Sequence, residues 1–435
     1  MIFYKHFTEK IRAYHIPLLA GAIFLLRLPP MYLLPIQNSV FMSHNIVRII
    51  VLFLLANEIL YHFFHTKKLK TITVTFWVIL IWFLSQTISV IEAKYVSPFL
   101  SAYKDIVFSI IIFFVSYYTV NKKNIGIFIM TLFFSSVIHL FMQLFAYFTP
   151  NKFNLLFHQF FYDKYWQFFD YQYSRLRFFG DALDETLISI VLLLIISSKR
   201  RLIQIAAYIF LGIVTFITFA SNWRSKTIIY IFAFLSGMTL YMKHFRKLIV
   251  IFLITIFFIV MSNFLSREII GYNIVDRLLY PENEETATIT ARLNYWEEAI
   301  EIGSSSPLFG VGLGHYYDYL SSKTQQLAQS SYLNRYRAFV TIDDPHNIFF
   351  STFATTGFTG VVSLSALFLV FLYSDIRTIF TKKDKMINAL ISVYWSIVLF
   401  SLFNPWLYFS YLGYLWFIRG SIESLKQEHG QTEKD

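Results

Sequence analysis

A chain of 435 residues in which 56% are hydrophobic and 14% charged is poor in charge for a soluble globular domain, where about 25% of residues carry one. Its net charge of +11 is divided among short basic clusters between apolar runs, the pattern of membrane-orientation signals and not of a nucleic-acid surface. Cysteine is absent, which excludes disulfides, zinc–cysteine centres and thiol nucleophiles.

Apolar runs near the roughly 20 residues that a helix needs to cross a 30 Å hydrocarbon core recur along the chain. The first, about 16–34, contains Arg27, Pro29 and Pro30 and lacks a small-residue cleavage pattern, so it reads as a span and not as a signal peptide. Further spans are predicted near 46–64, 72–91, 100–120, 125–148, 183–198, 202–220, 226–242, 248–264, 346–371, 386–403 and 405–420. The connections HTKKLK (65–70), NKKN (121–124), SSKRR (197–201), KHFRK (243–247) and RTIFTKKDK (377–385) are short and basic. By the positive-inside rule they are cytoplasmic, and both termini join them. The 50 Phe and 29 Tyr suit lipid-facing surfaces and interfacial belts.

Two long connections then lie outside, near 149–182 and 265–345. Between Arg267 and Asp344 there are eleven Asp or Glu against six Lys or Arg, the reverse of the whole-chain balance. Within this segment TITARLNYWEEAIEIGSSSP reads as an amphipathic helix, with Ile289, Leu293, Trp296 and Ile300 at helical spacing, Gly303 as its stop and Pro307 preventing continuation. The expected fold is an all-α integral membrane protein of about twelve transmembrane helices, its outer face capped by a large extracytoplasmic loop. Helices 1 to 9 occupy 1–264, the loop 265–345, helices 10 to 12 346–420, and a cytoplasmic tail 421–435.

Residues suited to chemistry collect on that outer side. In DDPHN (343–347), Asp344 can cap a helix, Pro345 suits its first turn, and His346 then sits where the helix dipole disfavours imidazolium. A neutral His346 can accept a proton, and the same helix end attracts phosphate; the plainer reading is an interfacial histidine. Arg224 and Lys226 in SNWRSK stand on the side where positive-inside statistics disfavour them. An anionic ligand, held bidentately by a guanidinium, is one reason; snorkelling to headgroups is the other. Arg292 on the loop helix either projects toward the membrane or pairs with Glu297 or Glu298 in solution. Arg175 and Arg177 either bind substrate or pair with Asp181, Asp184 and Glu185. FGVGLGHY (309–316) lacks the spacing and strand-to-helix context of a nucleotide loop and reads as a tight turn. Arg27 with Glu58 and Lys104 with Asp105 are candidate intramembrane ion pairs.

ARLNYWEEAIEIGSSS, the following PLFGVGLG, and the later DDPHNIFFSTFATTGFTG together resemble the O-antigen ligase and Wzy polymerase family of membrane glycosyltransferases. The shared pattern is Arg292 and Trp296 on a helix, the Pro307-to-Gly314 turn, His346 and Asn347 opening a span, and Gly357 and Gly360 within it. The resemblance is firm over roughly 215–375 and includes Arg224; at DALDETL after Gly180 the chain departs from the Asn-containing motif of many relatives. It implies metal-independent transfer of a glycan from undecaprenyl pyrophosphate to an acceptor hydroxyl, without a cofactor, on the outer face of the cytoplasmic membrane. His346 would be the base, and Arg224 and Arg292 would neutralise the departing pyrophosphate. Arg175, Arg177, Lys226 and Asn347 would bind substrate. The implied partners are the lipid-linked donor, a saccharide acceptor, the bilayer and other polysaccharide export proteins.

Within that family the leading expectation is a polymerase of surface polysaccharide repeat units. A ligase moving the finished chain to a lipid A core or other surface acceptor is the alternative. A lipid-linked glycan transporter or flippase is a reading of another class, against which stand the lack of internal repeats and of broken midplane helices.

Overall fold

The computed structural model describes residues 9–27, 32–36, 39–65, 74–148, 169–170, 177–178, 182–196, 200–221, 223–238, 245–270, 274, 283–320, 345–382, 384–404 and 409–432. These are almost wholly helical. In chain order the helices are α1 (His15–Arg27), α2 (Ser43–His65), α3 (Val74–Ile88), α4 (Val96–Thr119), α5 (Ile125–Phe148), α6 (Ala182–Ile196), α7 (Arg201–Ala220), α8 (Arg224–Met238), α9 (Phe245–Ile270), α10 (Asn283–Ser305), α11 (Ile348–Lys382), α12 (Lys385–Ser401) and α13 (Phe409–Thr432). Two small antiparallel ladders interrupt them, β1 (Tyr32–Ile36) with β2 (Ser39–Met42) and β3 (Phe169–Asp170) with β4 (Arg177–Phe178).

Every helix except α10 falls on one of the apolar runs. Among the described residues, seven helices are long and apolar enough to cross a membrane, those at His44–Phe63, Val74–Glu92, Val96–Thr119, Ile125–Met142, Arg201–Ala220, Arg246–Glu268 and Ile348–Thr381. α1 and α12 are apolar but shorter. The bundle turns large apolar side chains outward, Phe252, Leu253, Phe257 and Val260 of α9 among them, a surface that soluble monomers rarely expose over a long stretch. The chain is an integral membrane protein.

Inside, one apolar cluster joins α1 to α5 with α11, α12, α13 and one side of α6 and α8, and a second joins α6 to α9 with α5. α13 lies along α4, α11 along α3 and α9 along α7, while α6 and α8 pack on each other and both pack on α12, bridging the two clusters. α10 is set apart and packs on α11 over a small third cluster of Ala299, Ile302, Val311, Tyr316, Leu320 and Ala354.

Charges buried in this bundle are paired, as a low-dielectric interior demands. The pairs differ from those expected. Arg27 bonds Asp184, whose other oxygen is 2.8 Å from His139 Nδ1. Glu58 instead lies beside Arg12 at 3.4 Å and His15 at 3.0 Å. The reason is axial distance: His15 and Arg27 are twelve residues apart on α1, about 18 Å at 1.5 Å per residue, so a carboxylate level with one cannot reach the other. Asp105 takes Arg48 at 2.7 Å, while Lys104, next along α4, is exposed. A further buried set, Arg419 with Asp375 and Glu423, joins α13 to α11, and Lys426 adds a second cation 2.6 Å from Asp375.

Candidate active site

The site is built where α10 meets the start of α11. The Trp296 indole N–H donates to the Pro345 carbonyl at 3.0 Å, and its ring stacks on Phe350 with centroids 5.1 Å apart. The packed face of α10 therefore runs through Trp296, Ala299, Ile302 and Gly303. Leu293 and Ile300, expected on it, are 52% and 47% exposed, and the side chain of Ile289 lies outside the described residues. Gly303 does not stop the helix, which continues to Ser305; a Cβ there would strike the Phe353 ring and carbonyl, so glycine permits the close approach to α11.

After α10 the chain turns through PLFGVGLGH, and the turn fastens onto a break in α11. Gly357 has φ 64° and ψ −160°, outside helical geometry. In an unbroken helix the Ala354 carbonyl would take the Phe358 N–H, and the Thr355 carbonyl the Thr359 N–H. Here all four groups are redirected to the turn: Val311 N–H donates to Ala354 at 2.9 Å and Gly312 N–H to Thr355 at 3.0 Å, while Phe358 N–H donates to Pro307 at 2.8 Å and Thr359 N–H to Leu308 at 3.2 Å. The break costs no backbone hydrogen bonds because the turn replaces them. His315 ties the other side of the turn down. Its Nε2 accepts from the Tyr95 N–H at 2.9 Å and its Nδ1–H donates to Leu313 O at 3.0 Å, a pairing that requires the neutral Nδ1–H tautomer.

Gly310 carries the tightest part of this clasp. Its φ is 66°, and a Cβ there would meet the backbone of Thr355 and Thr356. Gly310→Ala should lower unfolding stability by about 2 kcal/mol, combining left-handed strain with overpacking. Thermal unfolding in detergent checks this, and an unchanged midpoint would show that the clasp yields freely.

At the head of α11 the cap differs from expectation. Asn347, not Asp344, caps the helix: its Oδ1 accepts from Phe349 N–H at 2.9 Å and Phe350 N–H at 3.2 Å, and its Nδ2 donates to the Leu402 carbonyl at 3.0 Å. Both ends of the amide expected to bind substrate are thus occupied, and they anchor the head of α11 to the end of α12. Asp344 lies outside the described residues. His346 precedes the cap instead of entering the first turn, and it holds the left-handed φ of 58°, a conformation costing a non-glycine residue about 1–2 kcal/mol.

His346 and Arg292 are brought together. The Tyr295 ring stands edge-on to the imidazole, centroids 6.5 Å apart and planes at 85°, and Arg292 is one helical turn earlier on α10. Burial, and then the Arg292 charge, lower the His346 pKa to about 4. The imidazole is therefore neutral at physiological pH, as expected, although burial and a guanidinium bring this about.

Arg224 opens α8 at the same end of the bundle. Its neighbour Trp223 packs edge-on against Phe400 of α12, centroids 6.0 Å apart, two residues from the Leu402 carbonyl that anchors Asn347. Arg224 is half-buried. Lys226 corrects the expectation of a substrate contact: it is fully buried, with Nζ 2.6 Å from Glu185 Oε1, and joins α8 to α6. Asp184 and Glu185, offered as partners for Arg175 and Arg177, are thereby engaged with Arg27, His139 and Lys226. Arg175 lies outside the described residues, as does the side chain of Arg177, whose backbone pairs with Asp170 in the second ladder. Just past Asn347 an apolar recess is lined by Ile348, Ile397, Phe400 and Leu412. Among the described residues no group of three or more His, Asp or Glu could hold a metal ion.

No curated protein matches the chain. Residues 187–365 match the family model described as O-antigen ligase, a stretch from α6 into α11 that contains Arg224, Arg292, the glycine turn and His346. The motifs and the match agree: over residues 187–365 this membrane protein is similar to the O-antigen ligase family.

Proposed function

We propose that the protein is a Wzy-type polymerase of surface polysaccharide, transferring a growing glycan from undecaprenyl pyrophosphate to the hydroxyl of a lipid-linked repeat unit. All twelve helices other than α10 cross the cytoplasmic membrane, both termini are inside, and α10 with its flanking segments caps the outer face. The observation that carries this reading is Arg292 beside a neutral His346 at the head of α11. In the step, the acceptor oxygen bonds to the anomeric carbon as the carbon–phosphate oxygen bond breaks. The hydroxyl proton passes to His346, and the electron pair leaves with the pyrophosphate. Arg292 and Arg224 meet the charge that develops on the leaving group, where fixed positive groups act most strongly.

The family description favours a second reading, a ligase that passes the finished chain to a lipid A core or other surface acceptor. Purified protein in lipid nanodiscs, given a polyprenyl-diphosphate oligosaccharide, separates the two. A polymerase produces a ladder of longer lipid-linked chains from donor alone, and a ligase produces new product only when lipid A core is added. Absence of transfer under both conditions would reject glycosyl transfer. Added chelator should leave the rate unchanged, since the arginines take the role that a metal would have on the diphosphate.

A further inference from the structure

Tyr295 stands in the candidate site without a role in the step above. It lies three residues after Arg292 on α10, the spacing that places two side chains on one side of a helix, and its ring meets the His346 imidazole edge-on. The helix is fixed at this point, because the Tyr316 hydroxyl donates to the Tyr295 main-chain carbonyl at 2.9 Å. Trp296, the next residue, is held to Pro345. The side chain is only half-buried, and among the described residues its hydroxyl makes no hydrogen bond. Burial and the nearby Glu298 carboxylate raise the phenol above its ordinary range, so at neutral pH it keeps its proton. A neutral phenol here is a donor and not a base.

We propose that Tyr295 is a further substrate-contacting residue, its hydroxyl donating a hydrogen bond to an oxygen of the diphosphate-linked sugar held between Arg292 and His346. This rests on the glycosyl-transfer reading above and adds a residue to it. Arg292 supplies charge to the leaving group and His346 takes the proton. Neither fixes the orientation of the sugar, which a directional O–H donor on the same helix as Arg292 does. The residue would then bear on which sugars are accepted, because a site that hydrogen-bonds a substrate oxygen discriminates against analogues lacking it.

The test uses the full chain in nanodiscs with a polyprenyl-diphosphate oligosaccharide, comparing wild type, Tyr295→Phe and His346→Ala. Tyr295→Phe keeps the ring against the imidazole and deletes the hydroxyl alone. The expected result is a fall in kcat/KM of about tenfold, the size of one hydrogen bond, with the acid limb of the pH profile unmoved and thermal stability retained. A kcat/KM within twofold of wild type overturns the proposal for Tyr295 while the loss of activity in His346→Ala leaves the transfer reading standing. Should Tyr295→Phe lose stability and activity together, the kcat/KM of Tyr295→His in parallel decides. Recovery of kcat/KM by this N–H donor in place of the phenol O–H supports the contact, and no recovery overturns it. Equal activity of wild type and His346→Ala overturns the base assignment and this proposal with it.

Discussion

Replacing His346 with alanine should reduce transfer from a lipid diphosphate donor by about 10² to 10⁴-fold, the share a positioned general base typically supplies, while the protein stays folded and inserted. The imidazole is held neutral by burial and Arg292, so at neutral pH nearly all molecules present the proton-accepting form. The backbone must be separated from the base, since His346 holds a φ of 58° that alanine tolerates less well than asparagine. His346→Asn keeps the left-handed conformation and a polar side chain but cannot take the proton. Both variants should therefore lose activity alike, measured as initial rates in nanodiscs and as the length of surface polysaccharide in a complemented deletion strain. Wild-type rates in His346→Asn would reject the base, and loss in His346→Ala alone would assign the defect to the backbone.

The elements that the sequence made legible are those whose cause is local. Apolar runs announce their helices because length and composition act within one segment, and a helix stands in each predicted run. The glycine turn was readable as a turn. That it would lock onto α11 was not, because its partners are the carbonyls of Ala354 and Thr355, released only by the break at Gly357. The face of α10 was misread for a related reason. Periodicity weights large apolar residues, and Leu293 and Ile300 are large, but α11 approaches so closely that Ala299 and Gly303 define the contact. Ion pairing also escaped the sequence: which carboxylate meets Arg27 depends on how far along each helix it stands, and Asp184 is 157 positions away. In the site, the helix-start setting of DDPHN singles out His346 and the loop helix Arg292, and the motif resemblance supplies their roles. Tyr295 carries no sequence signal of its own, because a tyrosine beside a motif tryptophan stands out only once the imidazole is placed against it. Lys226 was drawn in by its nearness to Arg224, two positions that a helix turns to different sides.

Substituting Arg292 with alanine should have two effects that one experiment resolves. Removing a positive group from the developing diphosphate charge should lower kcat/KM at neutral pH by about 10² to 10³-fold. It should also shift the pH profile, because the Arg292 charge is the second cause, after burial, of the low His346 pKa of about 4. The sign follows from the charges. A neighbouring cation disfavours imidazolium, so without it the pKa rises, and protonation removes the base at a higher pH. The acid limb of kcat/KM, which reports the free enzyme, should therefore move upward from about 4. It should stay below the ordinary 6.5, since burial, the larger cause, remains. Arg292→Lys distinguishes the two effects. Lysine keeps the charge and so the acid limb, but it lacks the planar fork that grips two phosphate oxygens, so the rate should fall while the profile stays. An unmoved acid limb in Arg292→Ala would show that the guanidinium does not act on His346. Arginine and histidine would then be neighbours without being coupled, and the low pKa would belong to burial alone.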